Sequence, residues 1–370
     1  MTIQRTHRCI YTAVLLCAMA CAGNAQSVVT PAAARAISWN DILKQDVAWY
    51  GNEEAVRIAD NVLLYQRNTG GWPKNIDMAT VVGESEVANI ARQKPKTDSN
   101  IDNGATFTQL TFLARVYQAK KLERHKESFL KGLDYLLKAQ YANGGWPQYF
   151  PNSKGYYAHI TFNDGAMVGV LKLLRDIAQE KAVYSFVDAG RRSQASDAVQ
   201  KGIDCILKTQ VVVKGHRTVW GAQHNETTLA PAPARAFEPV SLASAESLGV
   251  VRFLMSLSKP NQQIIDAVDS AVKWFEASKI AGIRWTEKAD PANAGRFQMI
   301  VVHDKNAEPI WARFYEIGTN RGIFIGRNGV VKYSVAEIEE ERRNGYQWYV
   351  NTPNQLLNKD YPSWQKKWPR

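Results

Sequence analysis

Two short segments carry hard oxygen donors in matching positions: Asp102-Asn103-Gly104-Ala105 and Asn163-Asp164-Gly165-Ala166. Each opens a stretch of helical pattern, and aligning the glycines makes Asn103 the equivalent of Asp164. A side-chain oxygen at a helix start satisfies orphan N–H groups, so each segment also reads as an N-cap. Repeated units place equivalent helix starts on one rim. There the carboxylates of Asp102 and Asp164 meet the amides of Asn103 and Asn163, an oxygen-rich set that suits Ca²⁺. A second group is cationic. Arg235 lies in Ala230-Pro-Ala-Pro-Ala-Arg235-Ala-Phe-Glu238-Pro239, where prolines stiffen the chain. It is either ion-paired, with Glu238 at hand, or a cation presented rigidly at a site. Arg313 and Arg327 are further candidates. A guanidinium grips a carboxylate through two parallel hydrogen bonds, which an ammonium cannot do. Three arginines with an acidic, calcium-suited cluster point to an anionic, carboxylated substrate. His159 lies just before Asn163-Asp164 and either orients substrate or is structural.

The elements that must position these groups repeat. Gln66-Arg-Asn-Thr-Gly70-Gly71-Trp72-Pro73 recurs as Gln140-Tyr-Ala-Asn-Gly144-Gly145-Trp146-Pro147, the tryptophans 74 residues apart (146 − 72). Trp220-Gly221 is a degraded third copy. Each phrase follows a helical pattern, which predicts an all-helical body built from one stacked unit. Helices are predicted over 52–66, 103–120, 122–140, 164–179, 193–209, 242–256 and 261–277. The loops 67–102 and 210–240 are long for such a body, and long ordered loops are often functional. From Ala281 the pattern changes. Short strands are predicted over 283–286, 299–302 and 322–325, forming a mixed cap folded onto the helical body.

The chain of 370 residues, 45% hydrophobic and 22% charged, has the composition of an ordinary globular protein. Eleven Trp and fifteen Tyr are a surplus of flat faces of the kind that stack on sugars. Residues 1–25 read as a secretory leader: Arg5 and Arg8, an apolar run from Ile10 to Ala22, then Gly23-Asn24-Ala25. Three of the four cysteines fall in that leader, leaving Cys205 and no intramolecular disulfide. Without Arg5 and Arg8 the formal charge falls from +11 to +9. Such a chain seeks acidic partners, and export with dispersed charge argues against nucleic acid. No zinc spacing, nucleotide loop or nucleophile elbow is present.

Longer motifs bring a family into view. Thr69-Gly-Gly-Trp-Pro-Lys74-Asn75, Thr97-Asp-Ser-Asn-Ile-Asp102-Asn103-Gly-Ala-Thr106, Asn143-Gly-Gly-Trp-Pro-Gln148, Phe162-Asn-Asp164-Gly, Pro231-Ala-Pro-Ala-Arg235, Trp311-Ala-Arg313-Phe-Tyr-Glu316 and Gly326-Arg327 resemble, in order, the pectate lyases of polysaccharide lyase family ten. The resemblance covers about residues 40–355. It implies a mainly α fold, an (α/α)3-type toroid of repeated helix pairs, with the C-terminal strands capping a cleft. It implies cleavage of polygalacturonate by β-elimination, with Ca²⁺ held by Asp102, Asn103 and Asp164. Arg235 would be the base. Arg313 and Arg327 would hold substrate carboxylates, with Lys74, Trp146 and His159 also binding substrate. A single catalytic domain over 26–370, periplasmic or secreted, monomeric and without a stable membrane anchor, is expected. The main rival is a glycoside hydrolase on a similar toroid, which needs a carboxylate pair drawn from Asp102, Asp164, Glu226 and Glu316. A terpene cyclase shares the Gln…Gly…Trp phrase but would need an aspartate-rich motif that is missing. A pectin-binding protein without activity is the third alternative.

Overall fold

The computed structural model describes residues 37–289 and 295–368; the expected leader lies outside them. From Ile37 on the chain is one compact unit. Its body is built from α1 (Glu53–Tyr65), α2 (Glu84–Arg92), α3 (Phe107–Lys120), α4 (Glu123–Ala139), α5 (Ala166–Ala178), α6 (Ala189–Thr209), α7 (Ser244–Met255) and α8 (Gln262–Ser278). The pairs α3/α4, α5/α6 and α7/α8 are three successive helix hairpins. In one row α3, α5 and α7 pack side by side; in the other α1, α4, α6 and α8 do. This is the predicted (α/α)3 arrangement. Among the described residues no helix is long and apolar enough to cross a membrane.

The repeated phrase is the staple between units. Gln66, Gln140 and Gln210 follow the last residues of α1, α4 and α6. Each side-chain amide donates twice. One bond closes its own loop, at Gly70 O, Gly144 O or Thr218 O. The other reaches the next helix of the row, at Ser128 O, Ala198 O or Ala267 O. The tryptophans Trp72, Trp146, Trp220 and Trp311 donate their indole N–H to Val62, Leu136, Ile206 and Phe275 at 2.7–2.8 Å. Each acceptor lies in the last turn of the preceding helix, where carbonyls lack intrahelical partners. The third copy therefore exists, stretched by a hairpin (Val212–Val213 with His216–Arg217), and Trp311 is a fourth. Gly70 and Gly144 sit at φ 100° and 92°, where a Cβ would meet the Lys131 and Lys201 carbonyl oxygens. Only glycine fits that turn.

All four tryptophans are fully buried. That corrects the expectation for Trp146: its ring is core, its N–H is spent on Leu136, and it presents no face to a sugar. The segment 67–102, read above as one long functional loop, holds a helix, α2, whose Glu86 caps its own first turn by accepting from Gly83 N.

The C-terminal strands form as predicted, slightly longer: Ile283–Ala289 pairs with Phe297–His303. A four-stranded sheet runs in the order Val331–Lys332, Gly322–Ile325, Phe314–Tyr315, Leu242–Ala243. Its last strand leads straight into α7, so the cap is stitched into the helical body. The short helix α9 (Glu340–Asn344) follows.

Candidate active site

Register in the repeats decides which side chains meet. The backbone N–H groups of Asn100, Thr161 and Ala243 each bond the carbonyl of the tryptophan in their own unit, Trp72, Trp146 or Trp220. Three residues further on stand Asn103, Asp164 and Glu246. These are equivalent positions on one rim, at the starts of α3, α5 and α7. Asn103 and Asp164 share a left-handed backbone, φ 50° and 48°, a conformation that Asn and Asp tolerate best among non-glycine residues. Neither Asp102 nor Asp164 caps its helix, so the N-cap reading falls.

The rim is wired together by charge. Asp102 is buried and accepts from Lys74 Nζ and from Gln148 Nε2 at 2.7 Å. Burial opposes the charge of Lys74, but Asp102 outweighs it and raises the lysine pKa. The Asn163 amide donates to Asp164 Oδ2 at 2.8 Å and, weakly, to Asp102 Oδ1 at 3.5 Å. Asp164 in turn meets Arg313 Nη2 at 3.2 Å, and the same nitrogen reaches Glu246 at 2.5 Å. Arg313 is largely buried. Desolvation disfavours its charge, yet Glu246, Tyr346 and Asp164 together raise its pKa. Glu246 Oε2 and Arg313 Nε are buried without a partner among the described residues.

Beyond Arg313 the contacts turn aromatic. Tyr346 lies beside two guanidiniums, Arg313 at 4.7 Å and Arg342 at 4.0 Å. Phe237 lies beside three, Arg235 at 4.8 Å, Arg327 at 5.1 Å and Arg342 at 4.6 Å. Arg235 is half-exposed and grips Glu238 at 3.0 and 2.5 Å, which raises its pKa. Arg327 is exposed and grips Glu341 at 3.1 and 2.7 Å, again raising its pKa. Thus Lys74, Asp102, Asp164, Arg313, Arg235 and Arg327 belong to one continuous line of contacts. His159 stands apart from it: its Nδ1 pairs with Glu226 at 2.9 Å and holds that carboxyl below its ordinary value. Three tyrosines flank the line. Tyr157 packs on Tyr149 and Tyr156 at 4.7 and 4.2 Å, and Lys74 lies over Tyr149 at 5.8 Å.

The donor set fits an open calcium site better than a closed one. Among the described residues no three His, Cys, Asp or Glu side chains converge on one point. Asp164 and Asn103 are exposed, and Asn103 donates its amide N–H to Asn75 Oδ1, 2.9 Å away, a bond that does not use its own Oδ1. Asp102 is placed behind them, its oxygens taken by Lys74, Gln148 and Asn163. Asn103 also lines a polar cavity of 440 Å³ with Lys74 and Asn75. A larger, mostly apolar cavity of 770 Å³ between α3 and α5 contains none of the rim residues.

Glu246, Arg342 and Tyr346 escaped the sequence reading. The start of α7 lacks the Asn/Asp-Gly signal of its two counterparts, so only the backbone register exposes Glu246.

Comparison with known proteins agrees with this architecture. Residues 66–357 match the family described as pectic acid lyase. The family 10 polysaccharide lyase from Cellvibrio cellulosa is 33% identical, with a TM-score of 0.72 over 88% of this chain and 94% of that one. A point variant of the Cellvibrio enzyme, in complex with trigalacturonic acid, superposes with a TM-score of 0.74 at 33% identity, over 90% of this chain and 96% of that one. No curated protein matches the chain. A match over most of its length, on the same toroid, shows that the chain belongs to the pectic acid lyase family and is a polysaccharide lyase of family ten.

Proposed function

We propose that the protein is an exported pectate lyase that cleaves polygalacturonate by calcium-assisted β-elimination. The observation that carries the reading is the rim itself, where the exposed carboxylate of Asp164 stands 3.2 Å from the Arg313 guanidinium. A uronate carboxylate laid there meets an acidic metal ligand and a carboxylate-binding cation together. Calcium, when bound, supplies positive charge to that carboxylate. Asp164 and Asn103 would hold it through hard oxygen donors, with Asp102 behind them fixing Lys74, Gln148 and the Asn163 amide.

The rest is the work of the chain. Arg313, held by Glu246, stabilises the charge that builds up on the substrate carboxylate as the C5 proton leaves. Arg327 grips a neighbouring uronate, and Lys74 and the tyrosine wall line the approach. His159, paired with Glu226, contributes at the edge. Arg235 takes the C5 proton. The electron pair of that C–H bond becomes the C4–C5 double bond, and the O4 leaving group departs with its bonding pair and takes a proton from solvent water. For this Arg235 must part from Glu238, whose pairing favours the protonated guanidinium. The cationic neighbours around Phe237 push the other way. The composition of residues 1–25 supports export, and the unbroken compact unit from Ile37 on supports one catalytic domain.

The hydrolase alternative is not favoured. Glu316 is bound to Thr319 and Tyr333, Glu226 to His159, and Asp102 is clamped by Lys74. The test is incubation with polygalacturonate at alkaline pH, with and without chelator, following the ultraviolet absorbance of a 4,5-unsaturated product. The reading requires that product and its loss in chelator. New reducing ends without unsaturation, or full activity in excess chelator, would overturn it.

A further inference from the structure

One buried cation has no part in the steps above. Arg342, in α9, is 4% exposed. Its Nε reaches Ile325 O at 3.4 Å, where a hydrogen bond is weak. Its Nη2 is buried without an acceptor, and it makes no ion pair among the described residues. Its neighbours differ: Arg235 has Glu238, Arg313 has Glu246 and Asp164, and Arg327 has Glu341. Arg342 has rings, those of Phe237, Tyr346 and Trp348, at 4.6, 4.0 and 5.1 Å. Aromatic faces offset part of the cost of burying a cation. A buried charge without a counter-charge still costs stability, so stability alone gives no reason for it.

Its location gives one. Arg342 and Arg235 lie against the same ring, and Arg235 is the group that must lose a proton. An arginine holds its proton to above about pH 12. A like charge nearby disfavours the charged form, and Coulomb coupling is mutual. Arg327 is a poor source of that field, being exposed and paired. Arg342 is neither. Several groups face this cluster. Glu238 comes from the same loop and Tyr156 from the turn Gly155–Ala158. Arg327 has Glu339 and Glu341 behind it, and Tyr346 has Arg313 and Glu246 beyond it. The Arg342 guanidinium is itself pushed below its ordinary value, by burial first and by Arg327 and Arg235 besides, against Tyr346 and Glu238.

We propose that Arg342 is a positioning residue whose uncompensated charge acts across Phe237 to lower the proton affinity of Arg235. The proposal rests on Arg235 being the base. The experiment measures kcat and KM against pH on polygalacturonate with calcium, for the wild type, Arg342→Met, Arg342→Lys and Arg235→Lys, all as the full chain. Met fills the aromatic cage without charge. In Arg342→Met the pH at half-maximal kcat should rise by about one unit, a roughly tenfold loss of kcat below it. KM should stay within about twofold. Arg342→Lys, which keeps the charge, should follow the wild-type profile. If Arg342→Met loses its near-ultraviolet circular dichroism, Arg342→Gln carries the same expectation. An unshifted profile in the neutral variants overturns the proposal, as does equal damage in the Lys and neutral variants or a change in KM alone. Arg235→Lys separates the two ideas. If it keeps the wild-type alkaline limb, the base assignment falls and this inference with it. If it loses that limb while Arg342→Met retains it, the base stands and only Arg342 falls.

Discussion

Asp164 holds a left-handed backbone position with an exposed carboxylate, and nothing in helix α5 depends on its side chain. Its substitution should therefore separate function from stability. Asn keeps the tolerance for φ near 50° while removing the charge that faces Arg313 and is proposed to attract calcium. Asp164→Asn should lower activity on polygalacturonate at limiting calcium by at least about tenfold, and excess calcium should restore part of it. The thermal midpoint should move by only a few degrees. Unchanged activity at limiting calcium would remove Asp164 from the metal site. The repeat made Asp102 and Asp164 legible in the sequence because equivalent helix starts share a rim. It misled for Trp146, since a phrase shows that a tryptophan matters but not which way its ring faces. Glu238 was named beside Arg235 as a partner in sequence, and the structure pairs them. Arg342 was hidden because its significance lies in what it lacks, a counter-ion, and that is visible only in three dimensions.

At the scale of elements, the loop after Trp220 must hold Arg235 still, and one histidine does much of this. His224 lies in the strand Gln223–His224, paired with Ile160–Thr161. It is fully buried. Its Nε2 accepts from Gly221 N at 3.1 Å and its Nδ1 donates to Leu229 O at 2.9 Å. The bond from Gly221 requires an unprotonated Nε2 and so the neutral ring, and burial pushes the pKa down to about 4 against the Leu229 bond, which favours the charged form. Below about pH 6.5 the unfolded chain binds a proton that the folded chain refuses. Stability from this group is therefore full above pH 6.5 and is lost as pH falls towards 4, by up to about 3 kcal/mol. Urea midpoints at pH 7 and pH 4.5 should show this loss in the wild type and lack it in His224→Gln. Equal acid sensitivity in both would clear His224. The pairs α3/α4, α5/α6 and α7/α8 were legible from periodicity and phrase. The third tryptophan copy reads as degraded and the fourth was missed, because their loops carry a hairpin and a pair of strands in place of the Gly-Gly turn. Helix α2 was missed because it buries only Ile90, too little to print a periodic stripe.

For the whole molecule the deciding quantity is charge. With the expected leader removed the formal net charge is +9, and Arg235, Arg313, Arg327 and Arg342 are joined through the rings of Phe237 and Tyr346. A polyanion is drawn to such a surface, and the attraction weakens as the Debye length shrinks from about 30 Å at 0.01 M salt to about 10 Å at 0.1 M. Two effects can then be told apart. Long-range attraction acts on encounter and KM, and salt screens it. The proposed contact between the largely buried Arg313 and a substrate carboxylate would be short and little screened; it depends on the acid being free, because an ester cannot accept the same charge-assisted pair. On polygalacturonate, kcat/KM should fall several-fold between these salt concentrations, chiefly through KM, with kcat nearly constant. On highly methylated pectin, kcat should be low at every salt concentration, because the charge that Arg313 and calcium are proposed to stabilise is missing. Faster turnover of methylated pectin than of polygalacturonate at either salt concentration would show that carboxylate recognition is not what this cleft is built for. A salt effect on kcat rather than KM would place the long-range field in the chemical step instead of in substrate capture.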